Sequence, residues 1–198
     1  MAEKPKLFVM CGMSGSGKTT FAKRFCETRE LRYLNPDQFY ELFNGDERNH
    51  SNEFDVWMAV YRALHIAEQE KVDTILDTNC PSFSGRNQLI EFFPDFEHHL
   101  IVIQADLDLC LKNNAKRYRQ IPESEMRRMW TAFQYPEISE WKYWKSMIWY
   151  RNMNNKGFQQ MHMIRHISAP SYCKFYIVLG TNICTYCQLK IRMLFGIL

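Results

Sequence analysis

The chain predicts an α/β fold: a parallel sheet of about five strands covered by helices on both faces. Three observations predict it. Short apolar runs at residues 7–11, 31–34, 72–77 and 100–103 alternate with amphipathic stretches of helical period. The run Leu100-Ile101-Val102-Ile103 is apolar throughout, as an inner strand covered on both sides must be. The first run passes directly into a glycine-rich turn and a helix. At 198 residues the chain suits one well-cored domain.

The turn, residues 12–19, reads GMSGSGKT and fills G-x-x-x-x-G-K-[ST]. Its glycines let the backbone wrap an anion with N–H groups inward, and the helix that follows adds its positive end. Lys18 is expected to reach the outer phosphates and Thr19 to offer a hydroxyl to Mg2+. Gly12, Met13, Ser14, Gly15, Ser16, Gly17, Lys18, Thr19 and Thr20 are therefore the candidate ATP-binding residues. Phe21, Ala22 and Phe25 line one face of the following helix and Lys23, Arg24 and Glu27 the other, as a sheet-covering helix requires.

Residues 31–34 predict the second strand. Proline bars Asn35 from helical geometry, and Asp37 is expected to cap a helix over 38–43. Ser51 or Asn52 caps a longer helix to about residue 70, with Phe54, Trp57, Met58, Tyr61 and Leu64 expected on its buried face. A third strand over 72–77 ends on Asp77, a loop follows to residue 85, and a helix over 86–93 stops at Pro94. Beyond the strand at 100–103, a base-rich helix is expected over 108–119 and another over 123–134. A fifth strand falls at 147–150 or 174–179. In such a sheet the ligand sits at the carboxyl ends of the strands. Asp37, Asp77 and the glycine loop all fall on that edge.

Charge is divided sharply. Residues 1–140 hold 17 basic against 22 acidic side chains, a net of −5; residues 141–198 hold 8 basic and no acidic ones. The change suggests a boundary near residue 140. Beyond it lies an aromatic, cysteine-containing segment, read either as a surface for nucleic acid or membrane or as a tail outside the fold. Seven cysteines without a framework suit a reducing compartment. Cys184 and Cys187, with His162, His166 and Cys173, match no usual zinc spacing. The charged start MAEKPK and the shortness of the apolar runs predict a cytoplasmic chain without a membrane partner.

A bound nucleoside triphosphate is either hydrolysed or donates its terminal phosphoryl group. Hydrolytic motors place Asp-Glu at the end of an apolar strand, whereas Asp77 here is followed by Thr78-Asn79. The guanine-reading N-K-x-D is also lacking: Asn155-Lys156 continues as Gly157-Phe158. Transfer to a hydroxyl fits better, with Asp37 as the base and Asp77 holding Mg2+ or orienting Lys18. Lys112, Lys116, Arg117 and Arg119 precede a flexible Gln120-Ile121-Pro122 and suit a lid over the triphosphate, Arg117 first and Arg119 second. Arg127 and Arg128 are surface or acceptor contacts.

The ordered set GMSGSGKT, NPDQF, ILDTN with Arg86, and KNNAKRYRQIP resembles the kinase domain of phage-type 5′-polynucleotide kinases and related small P-loop kinases, over residues 6–137. The resemblance implies the P-loop NTPase fold of the nucleotide-kinase type, with ATP and Mg2+ as cofactors. It implies Asp37 as the base for a 5′-hydroxyl of RNA or DNA, and Lys18, Thr19 and Arg117 serving ATP, Mg2+ and the migrating phosphoryl group. Asp77, Thr78, Asn79 and Arg86 are then placed to bind or orient the acceptor. Two positions depart from the family: Tyr40 and Asn113 stand where it tends to carry arginines. These departures and the acidic residues 1–140 leave open a small-molecule acceptor such as a sugar, nucleoside or antibiotic. The atypical C-terminal third leaves open an ATP-binding interaction module with little turnover.

Overall fold

The computed structural model describes residues 3–46, 49, 51–153, 157–164 and 176–179. Among these, seven strands form one sheet: β1 (Lys6–Cys11), β2 (Arg32–Leu34), β3 (Thr74–Leu76), β4 (Glu97–Gln104), β5 (Ser146–Asn152), β6 (Phe158–Ile164) and β7 (Tyr176–Leu179). Their order is β2-β3-β1-β4-β5-β6-β7. The first five pair in parallel, and β6 and β7 extend the sheet antiparallel. The helices are α1 (Lys18–Glu27), α2 (Pro36–Asn44), α3 (Glu53–Gln69), α4 (Phe83–Phe92), α5 (Leu107–Asn114) and α6 (Glu123–Ala132). A 3-10 helix, Ile138–Tyr143, precedes β5.

The two faces of β1 explain the layering. Leu7, Val9 and Cys11 point to one side, where they meet Val56, Val60 and Leu64 of α3 and Leu89 of α4. Met10 points to the other and packs with Ala22 of α1, Ile75, Ile101 and Ile103. Both sides are buried, so the inner strands carry apolar residues at successive positions. Among the described residues, no helix is long and apolar enough to cross a membrane.

The fifth strand expected at 147–150 or 174–179 is β5, past the charge boundary at residue 140: it pairs with β4 along six residues, from His99↔Ser146 to Gln104↔Arg151. Three sequence-based expectations change. α3 buries Val56, Val60, Leu64 and Ala67, while Phe54 and Met58 are exposed. This helix is apolar on more than one side, and the smaller aliphatic stripe is the one that fits against the sheet. The base-rich helix stops at Asn114 rather than near Arg119. There the Asn114 side chain donates to the Ile121 carbonyl (2.7 Å) and accepts from the Ile121 N–H (3.0 Å), closing residues 115–120 into a turn. Finally, Asn35 rather than Asp37 caps α2, accepting from the Asp37 N–H at 2.8 Å with Pro36 at the first helical position. Cys173, Cys184, Cys187 and His166 lie outside the described residues, as does the side chain of His162.

Arg86 corrects a further expectation. It does not face an acceptor: it is 1 % exposed, and Nε and Nη2 form a two-pronged pair with Glu140 at 2.6 and 2.7 Å. Nη1 donates to the carbonyls of Cys80 (3.0 Å) and Gln134 (2.9 Å). Every arm of the guanidinium is thus spent inside the protein, tying α4 to the 3-10 helix. Removing one member of a buried pair strands the other's charge. Glu140→Ala is expected to lower stability by about 3–5 kcal/mol, read from the midpoint of chemical denaturation. A loss under about 1 kcal/mol, the range of exposed pairs, contradicts this account.

Candidate active site

The loop between β1 and α1 is folded by close approach as much as by glycine's freedom. Gly15 and Gly17 sit at φ 79° and 99°, a region side chains disfavour. A Cβ on Gly15 would overlap the Cys110 carbonyl oxygen, and one on Gly17 would stand 2.7 Å from Asn152 Nδ2. The loop's carbonyls are held from outside. Lys18 Nζ donates to the Met13 carbonyl (2.9 Å), Asn113 Nδ2 to that of Gly15 (2.8 Å) and Asn152 Nδ2 to that of Ser16 (2.8 Å). The Gly12 N–H donates to the Asn79 carbonyl (3.1 Å), and Asn79 Nδ2 reaches Ser14 Oγ (3.3 Å). No side chain caps α1, so the N–H groups of its first turn are left for an anion.

Lys18 is 6 % exposed. Burial pulls its pKa from 10.5 down to about 8, against the attraction of Asp77, which raises it. Asp77 follows β3 and is itself buried. Its Oδ2 accepts from Tyr33 Oη (2.7 Å) and Asn35 Nδ2 (3.3 Å), while its Oδ1 has no hydrogen bond among the described residues. Burial and the adjacent carboxylate push the Tyr33 phenol well above its usual range, so it stays protonated as a donor.

Asp37 occupies the first turn of α2, relieved of capping by Asn35. Its Oδ1 lies 3.3 Å from Arg119 Nη1 in a partly exposed pair. Arg117 is exposed on the same turn between α5 and α6. A cavity of about 1210 Å3 unites these parts: Ser14, Gly15 and residues 17–20 on one wall, Asp37, Asp77, Thr78 and Asn79 on another, Arg117 and Arg119 above. Gly12, Met13 and Ser16 are buried behind the loop and do not line it. Arg86 lies outside. Tyr33, Asn35 and Asn152 escaped the sequence reading as site residues. Asn35 had a signal in its place before Pro36; Asn152, 136 residues from Ser16, had none.

Among the described residues, no group of three or more His, Cys, Asp or Glu side chains comes together. Thr19 and Asp77 both line the cavity and offer oxygen atoms, the kind of ligand that Mg2+ takes one or two of beside phosphate and water.

Comparison with known proteins agrees with this fold. The profile of the AAA domain family (AAA_33) matches residues 7–136. Comparison with curated sequences gives no significant match. Among solved structures, a chain of the Pnkp1/Rnl/Hen1 RNA repair complex superposes with a TM-score of 0.61 at 21 % identity, over 67 % of this chain. The match spans only 45 % of that chain's length. A sugar kinase from Janibacter sp. HTCC2649 gives 0.57 at 18 % identity, over 74 % of this chain and 85 % of that one. Kti12 of Chaetomium thermophilum, in complex with ADP-AlF3, gives 0.58 at 18 % identity, over 72 % and 87 %. The chain belongs to the AAA domain family and has the fold of the small P-loop kinases, the polynucleotide-kinase group among them.

Proposed function

We propose that the protein is an ATP-dependent phosphotransferase that moves the γ-phosphoryl group of ATP to a hydroxyl, a 5′-hydroxyl end of RNA or DNA. The observation that carries this reading is the single cavity joining the glycine loop to Asp37 and the lid arginines. The resemblance to Pnkp1 and to the ADP-AlF3-bound Kti12 supports both ends of it.

The uncapped start of α1 and Lys18 hold the β- and γ-phosphates. Thr19 and Asp77 would hold Mg2+, whose chemistry is to neutralise the phosphate oxygens. Asp37 accepts the proton of the acceptor hydroxyl as its oxygen bonds to the γ-phosphorus. The bond from that phosphorus to the β–γ bridging oxygen breaks, and ADP leaves. Arg117 closes over the three equatorial oxygens, where charge spreads in the transition state. Arg119, on the same turn, exchanges Asp37 for phosphate as the lid closes. Thr78 and Asn79 orient the acceptor.

A sugar-like acceptor is the second reading, favoured by the withdrawal of Arg86 into the core and by Tyr40, which is buried where an arginine would face a phosphate chain. Salt separates the two, because nucleic-acid binding weakens steeply as ionic strength rises.

Incubation with labelled ATP, Mg2+ and a 5′-hydroxyl oligonucleotide is expected to yield a labelled 5′ end. Asp37→Asn is expected to lower kcat by about 10^2–10^4 with ADP affinity retained; an unaltered rate removes Asp37 as the base. Lys18 gives a second expectation. It is charged below about pH 8 in the free protein, so ADP binds best there. Above that pH the affinity should fall by up to about tenfold per pH unit, and Lys18→Met should weaken binding at pH 7 and flatten the slope. Equal wild-type affinity at about pH 7 and pH 9 contradicts the assignment.

A further inference from the structure

A second cavity, of about 280 Å3, lies beside the first and shares Trp57, Thr78 and Pro81 with it. Its walls are Trp57 and Tyr61 from α3, Cys80 and Pro81 from the loop after β3, and Leu89 from α4; Thr78, Gln88, the Tyr61 hydroxyl and the Trp57 N–H are its polar groups. The walls are firmly braced. Trp57 and Tyr61, one helical turn apart, meet edge to face at 5.9 Å, and Tyr61 is set edge-on against Phe92 and Phe93 at 5.7 and 5.6 Å. Cys80 takes a positive φ of 45°, uncommon for a residue with a side chain. Its carbonyl accepts from Arg86 Nη1, so the buried Arg86–Glu140 pair holds this wall in place.

We propose that this annex is the acceptor subsite and takes a nucleobase, so that the acceptor is a nucleoside or the terminal nucleoside of a nucleic acid; the inference rests on the phosphotransferase reading above. α3, which carries Trp57 and Tyr61, packs on α2, which carries Asp37. A base held against Trp57 therefore keeps its sugar on the Asp37 side of the cleft. The chemistry of the walls selects the ligand. A hexose bears a hydroxyl on nearly every carbon, and each one buried without a partner is costly. Thr78, Gln88, the Tyr61 hydroxyl and the Trp57 N–H are too few to satisfy every hydroxyl of such a ring. A nucleobase presents two apolar faces, which an aromatic wall receives, and one hydrogen-bonding edge, which a few polar groups can read. The volume stands at the low end for ligand pockets and suits one heterocycle rather than a longer stretch of chain.

Two measurements on the full chain test the proposal. Thymidine titrated into the protein should quench tryptophan emission, and Trp57→Phe should lose that quench while the other four tryptophans remain. With a 5′-hydroxyl oligothymidylate as acceptor, Trp57→Ala should raise the acceptor KM about tenfold or more. Trp57→Phe should restore it, and ADP affinity should report that both variants are folded. Quenching by free thymidine equal to that by the oligonucleotide assigns the subsite to nucleosides; quenching much stronger with the oligonucleotide assigns it to a nucleic-acid end. An unchanged KM in folded Trp57→Ala, or gluconate quenching as strongly as thymidine, overturns the annex and leaves phosphoryl transfer standing. A Trp57-dependent thymidine quench without label transfer upholds the annex and overturns the transfer.

Discussion

A backbone that turns its N–H groups toward one ligand must dispose of its carbonyls on the far side. In this protein that requirement is met by Lys18, next to the loop, and by two asparagines brought from distant parts of the chain. The Met13, Gly15 and Ser16 carbonyls accept from Lys18, Asn113 and Asn152, while the Asn79 carbonyl receives the Gly12 N–H. A buried carbonyl deprived of its partner costs about 1–3 kcal/mol, so each contact holds the loop in its anion-wrapping shape. Asn79 follows β3, Asn113 rides on the helix after β4, and Asn152 ends β5. The parallel sheet delivers all three to one edge, beside the glycine loop.

The two carboxylates of the cleft are held in opposite ways. Asp77 is buried, with Tyr33 and Asn35 on one oxygen, and stays fixed beside Lys18. Asp37 is half-exposed and meets Arg119 at 3.3 Å in a pair of the kind that contributes little to stability. A fixed carboxylate suits a metal or a lysine that must not move. In the proposed reaction, a loosely engaged one suits a base that meets the acceptor hydroxyl once Arg119 moves onto phosphate. Asn35 links the two, capping α2 with its Oδ1 and bonding Asp77 with its Nδ2.

Much of the fold was legible in the residues because its signals are local. The glycine loop, the run at 100–103 and the strand ending on Asp77 declare themselves within a few positions, and each lies where expected. What failed depended on distant partners. Arg86 looked like an acceptor contact until Glu140, 54 residues away, claimed it. The buried stripe of α3 could not be chosen from a helix apolar on several sides, since the sheet selects the narrower residues. The charge break near residue 140 left open whether the rest joins the fold; β5 lies beyond it, and Asn152 at its end supports the loop. Charge reports on surface, and β5 is chosen by its pairing with β4.

The central claim is that the amides at the start of α1 seize a polyphosphate while Asp37 faces it across one cleft. A crystal structure with Mg2+ and ADP tests this most directly. The account predicts the β-phosphate within hydrogen-bonding distance of the N–H groups of residues 15–19, with Lys18 Nζ drawn from the Met13 carbonyl onto it and the Asp37 carboxylate lining the space beyond. A nucleotide bound elsewhere, or an Asp37 carboxylate turned away into bulk solvent, would contradict it.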